Sequence, residues 1–163
     1  YKKIIAELNA HKKDIHYVVR LFDRSGLDVV DQLGLKGGHY SIETRSTFNA
    51  FHDCDFALVA SGTATLEGAI TNTPIAVVYK TSWFSWLVAK LFLKIPFVSI
   101  VNILATKKIV EEFLQHDANP KLIVKHILQH LSDPTGSAVD YSEIYKMLDQ
   151  KNTYKNSALE IIN

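Results

Sequence analysis

The sequence predicts an α/β fold with a mostly parallel sheet, and three observations carry that expectation. Phe56–Ala60 and Ile75–Tyr79 are short, continuously apolar runs, as strands covered on both faces of a parallel sheet are. Thr63–Ile70, between them, has helical spacing and is broken by Thr73-Pro74. Strand–helix–strand alternation of this kind builds a layered sheet with right-handed crossovers. With 163 residues, 47% apolar and 21% charged, the chain suffices for one domain with a substantial core.

The remaining elements are taken in chain order. Ile4, Ile5 and Leu8 recur at helical spacing from the first turn, with Lys2, Lys3 and Glu7 between them. His16–Phe22 reads as a strand. Leu27–Leu33 reads as a helix stopped at Gly34, and His39–Glu43 as an extended segment after the Gly37-Gly38 turn. Ser46 suits the cap of a helix running through His52. Trp83–Ile95 is an apolar helix ending before Pro96, and Phe97–Val101 a short strand. Thr106–His116 and Pro120–Leu131 are expected helices, the second opening on a proline at its first position. Ser132–Ser137 reads as a linker, Asp140–Leu148 as a last helix, and Asn152–Asn163 as a loosely specified tail. The expected organisation is one α/β domain over 1–131, then a linker, helix and tail over 132–163.

Composition narrows the partners. A net charge of +1 creates no field that would draw nucleic acid. A single cysteine, Cys54, forbids an internal disulfide and fits a reducing compartment. A chain that opens at Tyr1, already inside an amphipathic helix, reads as a piece of something longer.

The chemistry concentrates in Ala60-Ser61-Gly62-Thr63-Ala64-Thr65-Leu66-Glu67. A buried strand ends, Ser61-Gly62 turns the chain, and a helix starts. The first amides of a helix lack internal partners. Gly62 allows close approach of a ligand, while Ser61, Thr63 and Thr65 supply hydroxyls. Such a turn suits a pyrophosphate without lysine or metal, at the strand end where α/β sheets usually bind ligands. Glu67, one helical turn further on, is placed to accept both hydroxyls of a ribose. Taken alone, this pattern is more often a serine capping a helix.

Other constellations carry less. His126 and His130 have metal-ligand spacing, yet no third ligand is evident, and a solvated helix face is the expected reading. Cys54 between a helix and a strand reads as a small buried residue. Glu111-Glu112 are neighbours that point apart on a helix. Trp83–Ile95, at about 13 residues, is too short to span a bilayer, which takes about 20. Lys90 and Lys94 on one face suit a helix lying at a membrane surface, against burial in the core or on an absent domain.

The motif and the segments downstream of it resemble the lipid-A-disaccharide synthase family. Ser61–Glu67 is succeeded by Thr73-Pro74, Val77–Lys80, Trp86–Lys90, Val98-Ser99, Asn102-Ile103-Leu104-Ala105 and Glu112-Phe113-Leu114-Gln115. The last two segments are the specific part, and the match covers roughly Asp55 to Leu122. Val101, where the family usually has proline, and Thr106, where it often has glycine, are departures. At Gly68 a slightly larger residue is usual.

The resemblance implies the C-terminal, donor-binding half of a two-Rossmann-domain (GT-B) glycosyltransferase. It implies a UDP-sugar site in which Ser61, Gly62, Thr63, Ala64 and Thr65 meet the diphosphate and Glu67 the ribose. Asn102, Gln115 and, more weakly, Glu112 would lie near the nucleotide or donor sugar. The implied reaction moves a diacylated glucosamine from UDP to an acylated glucosamine 1-phosphate with inversion, without metal or other cofactor. The general base would reside in an absent N-terminal acceptor domain, so the catalytic residue is unknown from this chain. Implied partners are the UDP-sugar donor, the acylated sugar phosphate acceptor, the missing domain and a homodimer mate exchanging C-terminal segments. The implied location is the cytoplasmic, inner face of a Gram-negative inner membrane, held peripherally through Trp83–Ile95. Two alternatives stay open: a UDP-sugar epimerase or other enzyme of the same fold, and a non-catalytic α/β assembly module.

Overall fold

The computed structural model of the chain describes residues 1–12, 14–21, 27–35, 39–82 and 96–148. In order these form α1 (Lys2–His11), β1 (Tyr17–Arg20), α2 (Leu27–Leu33), β2 (Tyr40–Glu43), α3 (Thr47–His52), β3 (Ala57–Val59) and α4 (Ala64–Ile70). Next come β4 (Ile75–Tyr79), α5 (Ile100–Ala105), β5 (Glu111–Leu114), α6 (Pro120–Ser132) and α7 (Ser142–Leu148). All pairings are parallel, β1 with β2 and, separately, β3 with β4 with β5. No pairing joins β1 to β3, so each has only one bonded neighbour among the described residues.

The alternation of side chains along β4 explains the layering. Ile75 and Val77 turn to one face and meet Phe51 of α3, Ala69 of α4, Val101 of α5 and Ile144 of α7. Ala76 and Val78 turn to the other and meet Ile4 and Leu8 of α1, Phe113 of β5 and Ile123 and Ile127 of α6. Helices therefore cover both faces of the central strand, which is why its sequence is apolar without alternation. The Ser46 hydroxyl accepts from the Asn49 amide and caps α3, as its residue type implies. Asn119 caps α6 in the same way, with Pro120 at its first turn.

Two assignments are corrected. Phe97–Val101 is not a strand: the Ser99 hydroxyl accepts from the Asn102 amide and starts α5 at Ile100. Thr106–His116 is not a helix. Thr106, at φ 53, ends α5 in the left-handed region, and Glu111–Leu114 then pairs with Ala76–Tyr79. The run Ile109, Val110, Phe113, Leu114 fits helical spacing, but a free edge of β4 was waiting for it, and tertiary pairing overrides a short periodic signal. The expected membrane-surface helix Trp83–Ile95 and the tail Asn152–Asn163 lie outside the described residues.

Residues 132–148 return to the main core. Tyr141 and Ile144 are fully enclosed with Val59, Val77 and Val101. The Tyr141 hydroxyl donates to the Thr73 carbonyl at 3.0 Å and the Tyr145 hydroxyl to the Ala69 carbonyl at 2.7 Å.

Gly68 has a packing reason that the sequence concealed. A Cβ at this position would stand 2.7 Å from Cγ2 of Ile75, so α4 lies against β4 only because this residue has no side chain. Gly68→Ala is therefore expected to destabilise the chain by about 1–3 kcal/mol through overpacking. That outweighs the ~1 kcal/mol gain in helix propensity. Thermal denaturation of the variant decides between the two terms: a raised midpoint would mean that propensity wins.

Candidate functional site: the carboxyl edge of the sheet

The carboxyl ends of β3, β4 and β5 converge on one rim. After Val59 the chain bends through Ala60–Thr63, with Gly62 at φ 139, a conformation in which a Cβ is strained. Among the described residues, a Cβ at Gly62 would meet nothing within 4 Å. Backbone bonds inside the new helix begin with the Thr65 amide to the Gly62 carbonyl at 3.1 Å and the Leu66 and Glu67 amides to Thr63. The amides of Gly62, Thr63 and Ala64 have no partner among the described residues. Thr63 is exposed and its side chain caps nothing.

The three hydroxyls expected to serve a ligand divide. Ser61 does not cap α4: its hydroxyl crosses the rim and donates to the Val98 carbonyl at 2.8 Å. The Thr65 side chain is wholly buried and donates to the Gly62 carbonyl at 2.8 Å. That hydroxyl stabilises the bend from inside. Only the Thr63 hydroxyl is free at the surface. Glu67 is half-buried on α4, and no hydrogen bond engages its carboxylate among the described residues.

Asn102 is turned into the protein. Its side chain is 0% exposed. Oδ1 accepts from the Ile109 and Val110 amides at 2.7 and 2.9 Å, and Nδ2 donates to the Val110 carbonyl at 2.9 Å and to Glu112 at 2.8 Å. Every polar atom is committed to holding the loop between α5 and β5, so none remains for a nucleotide. Glu112 works in the same scaffold. Its carboxylate accepts from the Val98 amide at 3.0 Å, the Ser99 amide at 2.9 Å and Asn102 Nδ2.

Gln115 stands at the rim in a left-handed conformation, φ 48. Its amide donates to the Tyr79 carbonyl at 3.0 Å, and its Oε1 accepts from the Thr81 amide at 3.3 Å. Its Nε2 is buried with no partner among the described residues. An orphaned buried donor is costly, and it is the kind of group that a ligand satisfies.

Two hollows lie away from this rim. A groove of about 740 Å³ runs between α1 and α6, lined by Glu7, His11, Lys121, Lys125 and Leu128 among others. A smaller one, about 450 Å³, lies beside Cys54, Asp55, Pro74 and His130, at the amino ends of β3 and β4. Neither hollow is lined by the bend, whose claim as a site rests on its unpaired polar groups.

The minor candidates resolve as structure. His126 and His130 are not a solvated face. His130 is 5% exposed, with Nδ1 sharing a 2.8 Å bond with the Ser137 hydroxyl, and both rings pack on Phe56. Burial of His126 pulls its pKa below the usual histidine value. The Cys54 thiol donates to the Ala50 carbonyl at 2.8 Å. Burial, then the neighbouring Asp53 and Asp55 carboxylates, push its pKa up, away from a reactive thiolate. No group of three or more metal-ligating side chains converges among the described residues.

Fold and rim together define a Rossmann-like α/β domain whose unpaired backbone amides gather at the carboxyl edge of a parallel sheet. A sequence profile of lipid-A-disaccharide synthetases matches residues 1–162. The lipid-A-disaccharide synthase of Methylobacillus flagellatus is 30% identical over all of this chain and 45% of its own length. That of Persephonella marina is 31% identical over 90% of this chain and 41% of its own length. That of Anaeromyxobacter dehalogenans is 38% identical over 77% of this chain and 33% of its own length. The chain belongs to the lipid-A-disaccharide synthase family. It spans less than half the length of these relatives.

Proposed function

We propose that this chain is the donor-binding part of an inverting glycosyltransferase, seating the diphosphate of a UDP-sugar on the bend after β3. The observation that carries the reading is the trio of unpaired amides at Gly62, Thr63 and Ala64, set at an open, glycine-shaped turn. Amides already aimed at the position where negative charge develops on departing UDP need no reorganisation during transfer. The Thr63 hydroxyl adds a donor, Glu67 accepts from the ribose hydroxyls, and the orphaned Gln115 Nε2 supplies a further donor to the nucleotide or donor sugar. The reaction proposed is transfer of a diacylated glucosamine from UDP to an acylated glucosamine 1-phosphate, without a metal. A base contributed from outside this chain deprotonates the acceptor hydroxyl.

The broken sheet supports the same reading. Doubly wound nucleotide-binding sheets commonly run in the order 3-2-1-4-5-6, with the ligand crevice at the switch point beside strand 1. Laid onto that order, β2-β1 would take the first two places and β3-β4-β5 the last three. A parallel strand from the part of the relatives that this chain does not span would fill the place between β1 and β3. It would close the nucleotide crevice beside the bend. In the same reading Trp83–Ile95 meets the inner face of the inner membrane and C-terminal segments exchange in a homodimer. No described helix is long and apolar enough to cross a membrane.

Calorimetric titration of the chain with UDP tests the donor-site claim. Saturable binding is expected, with affinity reduced about tenfold or more in Glu67→Ala, since a bond to a charged acceptor contributes roughly 1.5–3 kcal/mol. No sugar transfer is expected from the chain by itself. UDP binding that ignores Glu67→Ala, or no saturable binding, would contradict the proposal and favour an assembly module.

A further inference from the structure

Resting on the proposed diphosphate seat, we infer that Glu112 is a positioning residue for the bend, acting through the Val98–Ser99 turn and Ser61. The relay is continuous. The Glu112 carboxylate accepts from the Val98 amide at 3.0 Å and from the Ser99 amide at 2.9 Å. The Val98 carbonyl accepts from the Ser61 hydroxyl at 2.8 Å. Ser61 immediately precedes Gly62, whose amide is the first of the three unpaired ones. Asn102 completes the anchor by donating to the same carboxylate at 2.8 Å.

The chemistry of the groups sets the direction of the effect. A carboxylate can accept from two successive amides and a side-chain amide at once, and charge-assisted bonds of this kind are roughly twice as strong as neutral ones. The turn it holds has no strand pairing of its own, being joined to neither sheet. Without Glu112 the Val98 and Ser99 amides lose their acceptor and the Val98 carbonyl loses its fixed place. The Ser61 hydroxyl then has no defined partner across the rim. The consequence falls on the orientation of the three amides, not on any direct contact between Glu112 and phosphate. Both Ser61 and Glu112, implied as ligand contacts by the family resemblance, become parts of one mechanical link.

A double-mutant cycle read as UDP affinity tests the link, with the thermal midpoint of each variant measured alongside. Glu112→Gln keeps the shape but turns an N–H donor towards one of the two amides. It is expected to weaken UDP binding about tenfold, and Ser61→Ala by a similar factor. The double variant should be no weaker than the worse single one, because both break the same link. Losses that multiply would overturn the inference and restore Ser61 as an independent phosphate contact. So would a Glu112→Gln variant that binds UDP within twofold of the unaltered chain. Saturable UDP binding by the unaltered chain tests the diphosphate seat separately. Should Glu112→Gln not fold, amide hydrogen exchange on the unaltered chain decides. The Val98 and Ser99 amides must be protected before UDP is added, and free exchange at both would refute the relay.

Discussion

Gly62→Ala is expected to abolish measurable UDP binding, or weaken it at least about tenfold, while the thermal midpoint moves by only a few degrees. The reasoning separates space from conformation. An added methyl group at this position meets no described residue within 4 Å. The backbone is the obstacle, because φ 139 lies where residues with a Cβ are rarely found and holding one there costs of order 1–3 kcal/mol. The bend sits at an open edge with few contacts to resist a change, so the chain relaxes to an ordinary φ. Relaxation changes the backbone that carries the unpaired Gly62, Thr63 and Ala64 amides. Isothermal titration with UDP, paired with a melting curve, reads both effects. Affinity within twofold of the unaltered chain would mean that the conformation of the bend is irrelevant to binding.

Asn102→Ala should produce the largest loss of stability at the rim, roughly 3–5 kcal/mol, because the Ile109 and Val110 amides and the Val110 carbonyl all lose partners. Each buried group left unsatisfied costs about 1–3 kcal/mol, and Asn102 is fully enclosed. For a chain of this size the thermal midpoint should fall by about 10 °C. Asn102→Asp discriminates further. It retains an oxygen for the two amides, yet sets a second carboxylate oxygen against the Val110 carbonyl and against Glu112. A residue that only touched nucleotide would tolerate both changes in the absence of ligand. Unaltered melting of the two variants would return Asn102 to the ligand side.

What could be read from residues alone was decided by local chemistry. β4 needed only its apolar run, and α3 only Ser46 and the spacing behind it. The strand–Ser-Gly-Thr–helix bend was legible because a buried strand, a glycine and a helix start occur in immediate succession. Most of the failures trace to contacts made between elements rather than within one. Glu111–Leu114 became a strand because β4 offered an edge, and Gly68 was required by Ile75 across the interface. The Thr65 bond to the Gly62 carbonyl is the local i to i−3 pattern open to any threonine near a helix start, whereas the Asn102 side chain turned inward towards the Val110 amide and carbonyl on the next loop. The role of Glu112 was hidden for the same reason, since its partners Val98 and Ser99 lie more than a dozen residues upstream. One signal was available for Asn102: in the Ser99-x-x-Asn102 segment a serine precedes an apolar helical turn, the pattern of a capped helix start.

The most direct measurement is an amide NMR titration of the isotopically labelled chain with UDP. The account predicts that the resonances of Gly62, Thr63 and Ala64 shift first and saturate together, with Glu67 and the Gln115 side-chain amide tracking the same curve. Shifts confined to the groove between α1 and α6, around His11, Lys121 and Lys125, with the bend unmoved, would contradict it.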